Sequence, residues 1–183
     1  MKAFLTKQKG FSKAKTSLNP HDLRISSLGE AVARRKALKQ NNTKIVLTNG
    51  CFDLLHPGHI HSLNEASQMG DQLWVAMNSD QSVKALKGPS RPVIDEKNRA
   101  LSLLSLKSVS LVFLFDQANL AREILLIAPD VYVKSEDYSL DTLDPEEKKS
   151  LETVNAQIRF VSQLTGFSTS SLISKINKHP PIS

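Results

Sequence analysis

The chain has 183 residues, of which 40% are hydrophobic and 23% charged; this is the composition of one globular domain and excludes a fibrous or collagen-like protein. No apolar run approaches the roughly 18 residues of a membrane-spanning helix, and the single cysteine, Cys51, excludes an internal disulfide and a multi-cysteine zinc site. The net charge of +6 is uneven: residues 1–40 hold ten basic and two acidic residues (+8), whereas residues 41–183 hold fourteen and sixteen (−2). We therefore expect no membrane insertion, no nucleic-acid-binding surface on the body, and a reducing compartment, the cytoplasm.

The basic excess lies in an N-terminal segment that is distinct from the body. Residues 1–25 are rich in lysine and poor in acids, which predicts a flexible, solvated extension. A transit peptide is the alternative, since the segment also carries serines, but it holds no arginine before Arg24. We expect the folded domain to span residues 26–178.

Strands and helices alternate along the body. Short segments rich in apolar residues predict five strands, at residues 44–48, 72–77, 109–115, 131–133 and 157–161, of which the first is a continuous, β-branched run. Amphipathic segments with capping residues predict helices at residues 31–40, 59–69, 95–106, 119–127, from 144 onward and 168–176. This alternation predicts an α/β fold: a parallel five-stranded sheet with helices on both faces. In such folds ligands bind beyond the carboxyl ends of the strands, where the strand order reverses.

The first strand leads into the segment Thr48-Asn-Gly-Cys-Phe-Asp-Leu-Leu-His-Pro-Gly-His59. Gly50 permits a tight turn, and His56 and His59 flank the start of the next helix. A helix N-terminus has free N–H groups and a partial positive charge, and two imidazoles add directional donors, so the segment predicts a phosphate site. Two alternatives stay open: a metal site, which lacks a third ligand at a recognisable spacing, and two structural histidines.

A second basic motif lies in the Gly- and Pro-rich segment that follows the second strand and its helix. Here Lys84, Lys87 and Arg91 stand in what we predict to be a shaped loop, and Arg99 on the next helix could reach the same space. Lysine and arginine are the usual ligands of polyphosphates. A solvated loop is the alternative.

The last predicted helix opens with Ser168, Thr169 and Ser170. A simple capping motif and a second phosphate-binding helix N-terminus are both compatible with these hydroxyls. The chain contains neither a Walker loop nor a G-x-G-x-x-G fingerprint, so any phosphate binding uses another design.

Together these motifs resemble the cytidylyltransferase-like nucleotidyltransferases with their H-x-G-H signature, over about residues 26–176. The resemblance is closest to the adenylyltransferase branch of ADP-heptose synthesis. Further matching segments are Gly70-Asp71, residues 75–80, residues 86–92, residues 129–134 and Ser168-Thr169. The family implies a Rossmann-like fold, a homodimer, and a Mg²⁺-dependent reaction in which phosphates and water, with no direct protein ligand, hold the ion.

The resemblance also implies a reaction: transfer of a nucleoside monophosphate from ATP to a sugar 1-phosphate, heptose 1-phosphate in this branch, with release of pyrophosphate. On this basis we expect four catalytic residues, His56, His59, Lys87 and Arg91. We expect the nucleotide to contact Thr48, Asn49, Gly50, Cys51, Phe52, Gly58, Lys134, Asp137, Ser168, Thr169 and Ser170. We expect the acceptor to contact Asp53, Asn78, Asp80, Lys84 and Arg99.

One segment departs from the branch. Where the branch has Lys-Gly-Gly-Asp-Tyr, this chain has Lys134-Ser-Glu-Asp-Tyr138. Side chains in place of two glycines restrict the backbone and add a negative charge. This departure leaves two alternatives open: a CTP-dependent enzyme acting on glycerol 3-phosphate or a similar alditol phosphate, and a non-catalytic nucleotide-binding protein. A tRNA-related protein is a third alternative, because class I synthetases share the H-x-G-H idea and the N-terminal segment is basic, although the acidic body argues against it.

Overall fold

The structure is a computed structural model that describes residues 25–162, 164 and 166–178. The predicted N-terminal extension lies outside the described residues except for Ile25. The first described residues lie beside the sheet, where the Ser26 N–H donates a hydrogen bond to the carbonyl of Val112 at 2.9 Å.

Five parallel strands form one sheet in the order β3-β2-β1-β4-β5. Their bounds are Ile45–Gly50 (β1), Gln72–Asn78 (β2), Leu111–Phe115 (β3), Val131–Ser135 (β4) and Gln157–Val161 (β5). The chain places β2 and β3 on one side of β1 and then returns to place β4 and β5 on the other. The predicted parallel α/β sheet is confirmed, and its strand order reverses between β1 and β4.

Seven helices are found among the described residues. Their bounds are Leu28–Gln40 (α1), Pro57–Ser67 (α2), Asp80–Lys87 (α3), Glu96–Leu104 (α4), Ala121–Ile127 (α5), Pro145–Thr153 (α6) and Thr169–Lys178 (α7). The first helix starts three residues earlier than predicted because Ser27 and Glu30 form a capping box. The sixth begins, as predicted, with a proline at its first position after Asp144.

The prediction that Lys84 and Lys87 lie in a loop is wrong, because both lie in α3. Ser79 caps this helix by accepting a hydrogen bond from the backbone N–H of Ser82. The helix continues to Lys87 and ends at Gly88, which adopts a left-handed φ of 96°. Only the segment after Gly88 is the shaped loop that the glycine and prolines predicted.

Two cores lie on opposite faces of the sheet. Side chains alternate along β2, so that Leu73, Val75 and Met77 pack toward α2 and α4, while Trp74 and Ala76 face the α1, α5 and α6 side. Both faces are therefore buried, which explains why the strands are continuous apolar runs.

Gly70, which follows α2, is required by close packing against the start of β1. A Cβ at this position would lie 2.7 Å from the Val46 Cγ2 and 2.9 Å from the Lys44 carbonyl oxygen.

We expect Gly70→Ala to lower the free energy of unfolding by about 1–3 kcal/mol, the usual cost of overpacking. Urea denaturation measures this change. Gly29→Ala is the matched control, because a Cβ there meets nothing nearer than 4.0 Å and alanine suits a helix; a loss equal to that of Gly70→Ala would contradict the packing argument.

Candidate active site

The carboxyl ends of β1 and β4 open into a cleft of about 890 Å³. This is the position that the reversal of strand order predicts for a ligand. All four expected catalytic residues and all eleven expected nucleotide-binding residues line it. Of the five expected acceptor residues, Asp53 and Asn78 line the cleft, whereas Asp80, Lys84 and Arg99 do not.

His56 and His59 form a stacked pair at the N-terminus of α2. His56 is the N-cap residue, and its side chain accepts a hydrogen bond from the backbone N–H of His59 at 3.3 Å through Nδ1. The ring centroids are 3.7 Å apart and the ring planes differ by 19°. Because Nδ1 of His56 is an acceptor, the neutral ring carries its proton on Nε2, which is then a donor.

Burial keeps both imidazoles neutral at physiological pH. It lowers the pKa of His56, and it lowers the pKa of His59 to about 4, with a further contribution from the neighbouring His56. The Leu54 carbonyl opposes this decrease in the pKa of His59, although Nδ1 of His59 forms no hydrogen bond of normal geometry with any described residue. The pair can therefore donate hydrogen bonds, but it carries no full positive charge at this pH.

The depressed pKa of His59 predicts a pH dependence of stability. Below its ordinary pKa of about 6.5 the unfolded chain binds a proton at this position that the folded chain does not take up until about pH 4. The free energy of unfolding should therefore decrease as the pH falls from 6.5 toward 4. Urea midpoints measured at pH 7 and pH 5 should show this decrease in the wild type and a smaller one in His59→Asn. Equal decreases in the two proteins would contradict the assignment.

Two glycines leave room for this arrangement. A Cβ on Gly58 would lie 3.0 Å from Nδ1 of His56, and a Cβ on Gly50 would lie 3.0 Å from the ring of Phe52. The Phe52 ring in turn lies 5.2 Å from that of His59, centroid to centroid. The glycine between the two histidines is thus explained by ring packing.

Arg91 reaches the cleft from the loop after α3 and is held by Asp53. Its Nε lies 2.5 Å from Oδ2 of Asp53, and the other carboxylate oxygen accepts hydrogen bonds from the N–H groups of Val93 and Ile94 at 2.7 and 3.2 Å. The Asp53 side chain is only 1% exposed. The carboxylate that was expected to bind the acceptor is therefore engaged within the chain and positions Arg91.

Arg99 supports the loop after β1 from beneath the cleft. It is 1% exposed; one terminal nitrogen donates to Asp80 at 2.7 Å and the other to the carbonyl of Cys51. Arg99 and Asp80, both expected to contact the acceptor, form an ion pair with each other outside the cleft lining. Lys84 is exposed on α3 and also lies outside the lining.

Other polar side chains along β1 and β2 are likewise engaged with the fold. Thr48 donates to the carbonyl of Val133 at 2.9 Å and so joins β1 to β4. Asn78 donates to Ser82 at 2.9 Å, and its amide oxygen accepts from the Cys51 thiol, 3.7 Å away. Burial raises the pKa of that thiol, so Cys51 stays protonated at neutral pH and is a poor nucleophile.

Across the cleft, Lys134 at the end of β4 pairs with a residue that the sequence did not single out. Its Nζ lies 3.4 Å from Oε2 of Glu147, the third residue of α6. The same carboxylate oxygen accepts a hydrogen bond from the hydroxyl of Tyr132 at 3.0 Å, and that hydroxyl also lies 3.1 Å from the amide oxygen of Asn49. In the sequence, Glu147 looks like an ordinary acidic residue in the first turn of a helix, so its pairing with Lys134 could not be predicted.

The N-terminus of α7 also faces the cleft. Ser168 accepts a hydrogen bond from the backbone N–H of Ser171 at 3.1 Å, as an N-cap residue does. Ser168, Thr169 and Ser170 line the cleft together with Phe167. Two helix N-termini, those of α2 and α7, therefore border the same space, which suits a polyanion.

No three histidine, cysteine or acidic side chains come together as a metal site in the part of the chain that the structure describes. The carboxylate of Asp53, which lines the cleft, is already paired with Arg91. A Mg²⁺ ion held mainly by phosphates and water would need no such cluster of side chains. Among the described helices, none has both the length and the apolar character needed to cross a membrane.

A parallel α/β sheet whose reversal point carries paired imidazoles, clustered cations and two helix N-termini is suited to binding the phosphates of a nucleotide. The chain belongs to the cytidylyltransferase-like family, whose family model matches residues 47–179. The chain is 42% identical to the bifunctional protein HldE of Azorhizobium caulinodans over 154 residues, a match that covers 82% of this chain. It is 43% identical to the bifunctional protein HldE of Campylobacter jejuni over 139 residues, which covers 76% of this chain. These matches confirm the resemblance to the ADP-heptose branch.

The chain spans about a third of the length of these relatives, 31% and 29% respectively. Among solved structures, it is similar to a lipopolysaccharide core biosynthesis protein from Thermoplasma volcanium, with a TM-score of 0.54 and 27% sequence identity. That match covers 67% of this chain and 97% of the other. It supports the fold assignment independently of the curated relatives.

Proposed function

We propose that this protein transfers AMP from ATP to a sugar 1-phosphate, heptose 1-phosphate, with release of pyrophosphate. The observation that carries the proposal is the neutral His56–His59 pair at the mouth of α2, facing a cleft that also contains Lys87, Arg91 and Lys134. The resemblance to the ADP-heptose branch, together with the similarity to the two HldE proteins, supports the choice of ATP and heptose.

The proposed reaction is a displacement at phosphorus. An oxygen of the acceptor phosphate bonds to the α-phosphorus of ATP, the bond from that phosphorus to the bridging oxygen breaks, and pyrophosphate leaves with its electron pair. The attacking phosphate is already an anion, so the reaction requires no protein base or nucleophile, consistent with the protonated Cys51. Catalysis then consists of alignment and stabilisation of the charge that moves to the leaving oxygens.

In this proposal His56 and His59 donate hydrogen bonds to the α- and β-phosphates as negative charge develops there. Arg91, fixed by Asp53, and Lys87 bind the triphosphate or the acceptor phosphate. The hydroxyls and N–H groups at the start of α7 bind the outer phosphates. Magnesium, when bound with the triphosphate, neutralises part of its charge.

A second candidate is a cytidylyltransferase acting on an alditol phosphate such as glycerol 3-phosphate. It is favoured by one observation: Ser135, which stands where the branch has glycine, lines the cleft with its hydroxyl buried and unpartnered by any described residue. A side chain at the cleft wall can change the choice of base.

A panel of ATP and CTP against heptose 1-phosphate, other sugar 1-phosphates and glycerol 3-phosphate separates the candidates, with pyrophosphate release as the readout. We expect ATP with heptose 1-phosphate to give the highest kcat/KM. Turnover with CTP and glycerol 3-phosphate would favour the second candidate. Nucleotide binding without pyrophosphate release from any pair would instead indicate a non-catalytic nucleotide-binding protein.

A further inference from the structure

Glu147 is a buried carboxylate in the wall of a cleft that is suited to anions. It is 3% exposed and lines the cleft. Capping of α6 does not explain it, because Asp144 accepts the hydrogen bonds from the N–H groups of Glu146 and Glu147 at 2.9 and 3.1 Å. The Glu147 side chain instead turns to β4 and to the start of α5, where it accepts from the Leu120 N–H at 2.9 Å.

Among the described residues, two buried cation–carboxylate pairs flank the point where the strand order reverses. Arg91 and Asp53 lie on the β2 side, with side chains 16% and 1% exposed, and Lys134 and Glu147 lie on the β4 side, with side chains 12% and 4% exposed. In each pair the carboxylate accepts from one N–H group of the cationic side chain, and the other N–H groups of that side chain can still donate hydrogen bonds to a ligand. An ammonium group has three donors, so Lys134 can bind Glu147 and a phosphate at the same time.

We propose that Glu147 is a positioning residue that holds the Lys134 ammonium group at the cleft wall, where it binds a phosphate of the nucleotide. The inference rests on the proposed function. Without the carboxylate, the long lysine side chain has two alternatives: water, or the ring faces of Tyr132 and Tyr138, whose centroids lie 5.5 and 5.0 Å from Nζ. Fixing this flexible chain before the nucleotide arrives reduces the entropy lost on binding.

Glu147 is itself fixed by its neighbours. Burial raises the pKa of Tyr132 well above its ordinary value, and the adjacent Glu147 raises it further, so the hydroxyl stays protonated and donates a hydrogen bond to the carboxylate. The Leu120 N–H holds the other oxygen. Two neutral donors and one ammonium group offset the negative charge of Glu147, which limits its repulsion of a phosphate.

The test compares Glu147→Gln, Lys134→Met and the double variant by steady-state kinetics. We expect Glu147→Gln to raise KM for ATP about tenfold, the value of one hydrogen bond to a charged group, with kcat changed much less. The double variant should match Lys134→Met alone, because Glu147 acts through the lysine. Glu146→Gln is the matched control: it removes the same charge from the neighbouring, exposed position and should leave KM unchanged.

An unchanged or lower KM in Glu147→Gln, or effects that multiply in the double variant, would overturn the inference. If Glu147→Gln does not fold, Glu147→Asp keeps the charge but shortens the reach and should also raise KM for ATP; an unchanged KM would likewise overturn it. Calorimetric binding of a non-hydrolysable ATP analogue separates the two proposals. A wild type that binds the analogue but releases no pyrophosphate contradicts the proposed function alone, whereas equal analogue affinity in wild type and Glu147→Gln contradicts the positioning role alone.

Discussion

Replacing His59 by alanine should lower kcat about 100-fold or more, because it removes one preorganised donor to the phosphates on which charge develops. The effect should fall on kcat more than on KM for ATP, since the donor stabilises the transition state more than the bound substrate. Initial rates of pyrophosphate release over a range of ATP concentrations give both constants.

His61→Ala is the matched control for this prediction. His61 lies two residues further along α2, has a side chain that is 40% exposed and outside the cleft lining, and contacts Ser162 at 3.0 Å. Its removal should leave kcat within about twofold. A His59→Ala protein that keeps its wild-type kcat would refute the assigned role, whereas an equal loss in His61→Ala would indicate general damage to the helix.

Asp53→Asn should lower the free energy of unfolding by about 3 kcal/mol, near the lower end of the cost of breaking a buried ion pair, because Arg91 retains some contact with water. The neutral amide leaves the guanidinium without its counter-charge and weakens two backbone hydrogen bonds, from Val93 and Ile94. Activity should decrease as well, since Arg91 loses its fixed position in the cleft. Urea denaturation and kcat/KM measure the two effects.

Asp116→Asn provides the control, because it makes the same change of charge at an exposed residue directly after β3. It should change the unfolding free energy by less than about 0.5 kcal/mol. In the double variant of Asp53→Asn with Arg91→Met, part of the lost stability should return, since no buried cation is left unpaired. Additive losses in that double variant would contradict the pairing.

The parts of the fold that depend on local pattern could be predicted from the sequence. The inner strands are mostly continuous apolar runs because both sheet faces are buried there, and the alternation of strands with helices predicts the parallel sheet. The histidine segment was placed correctly at a helix N-terminus because Pro57 and Gly58 mark the start of α2.

The parts of the site that depend on contacts between residues far apart in the sequence could not be predicted. Asp53 and Arg91 are 38 residues apart, and nothing in the local sequence of either indicates that the carboxylate is engaged by the arginine. Arg99 is eight residues from Arg91 and carries the same charge, but in the folded chain its guanidinium group pairs with Asp80. Glu147 was hidden for the same reason, since its partners on β4 come together with it only in the folded protein.

The most direct test of this account is a crystal structure of the protein with a non-hydrolysable ATP analogue. We predict phosphate oxygens within about 3 Å of Nε2 of His56, of the His59 ring and of the N–H groups that open α2. An analogue whose phosphates lie elsewhere in the cleft, with the imidazole pair still facing its protein neighbours alone, would contradict the account.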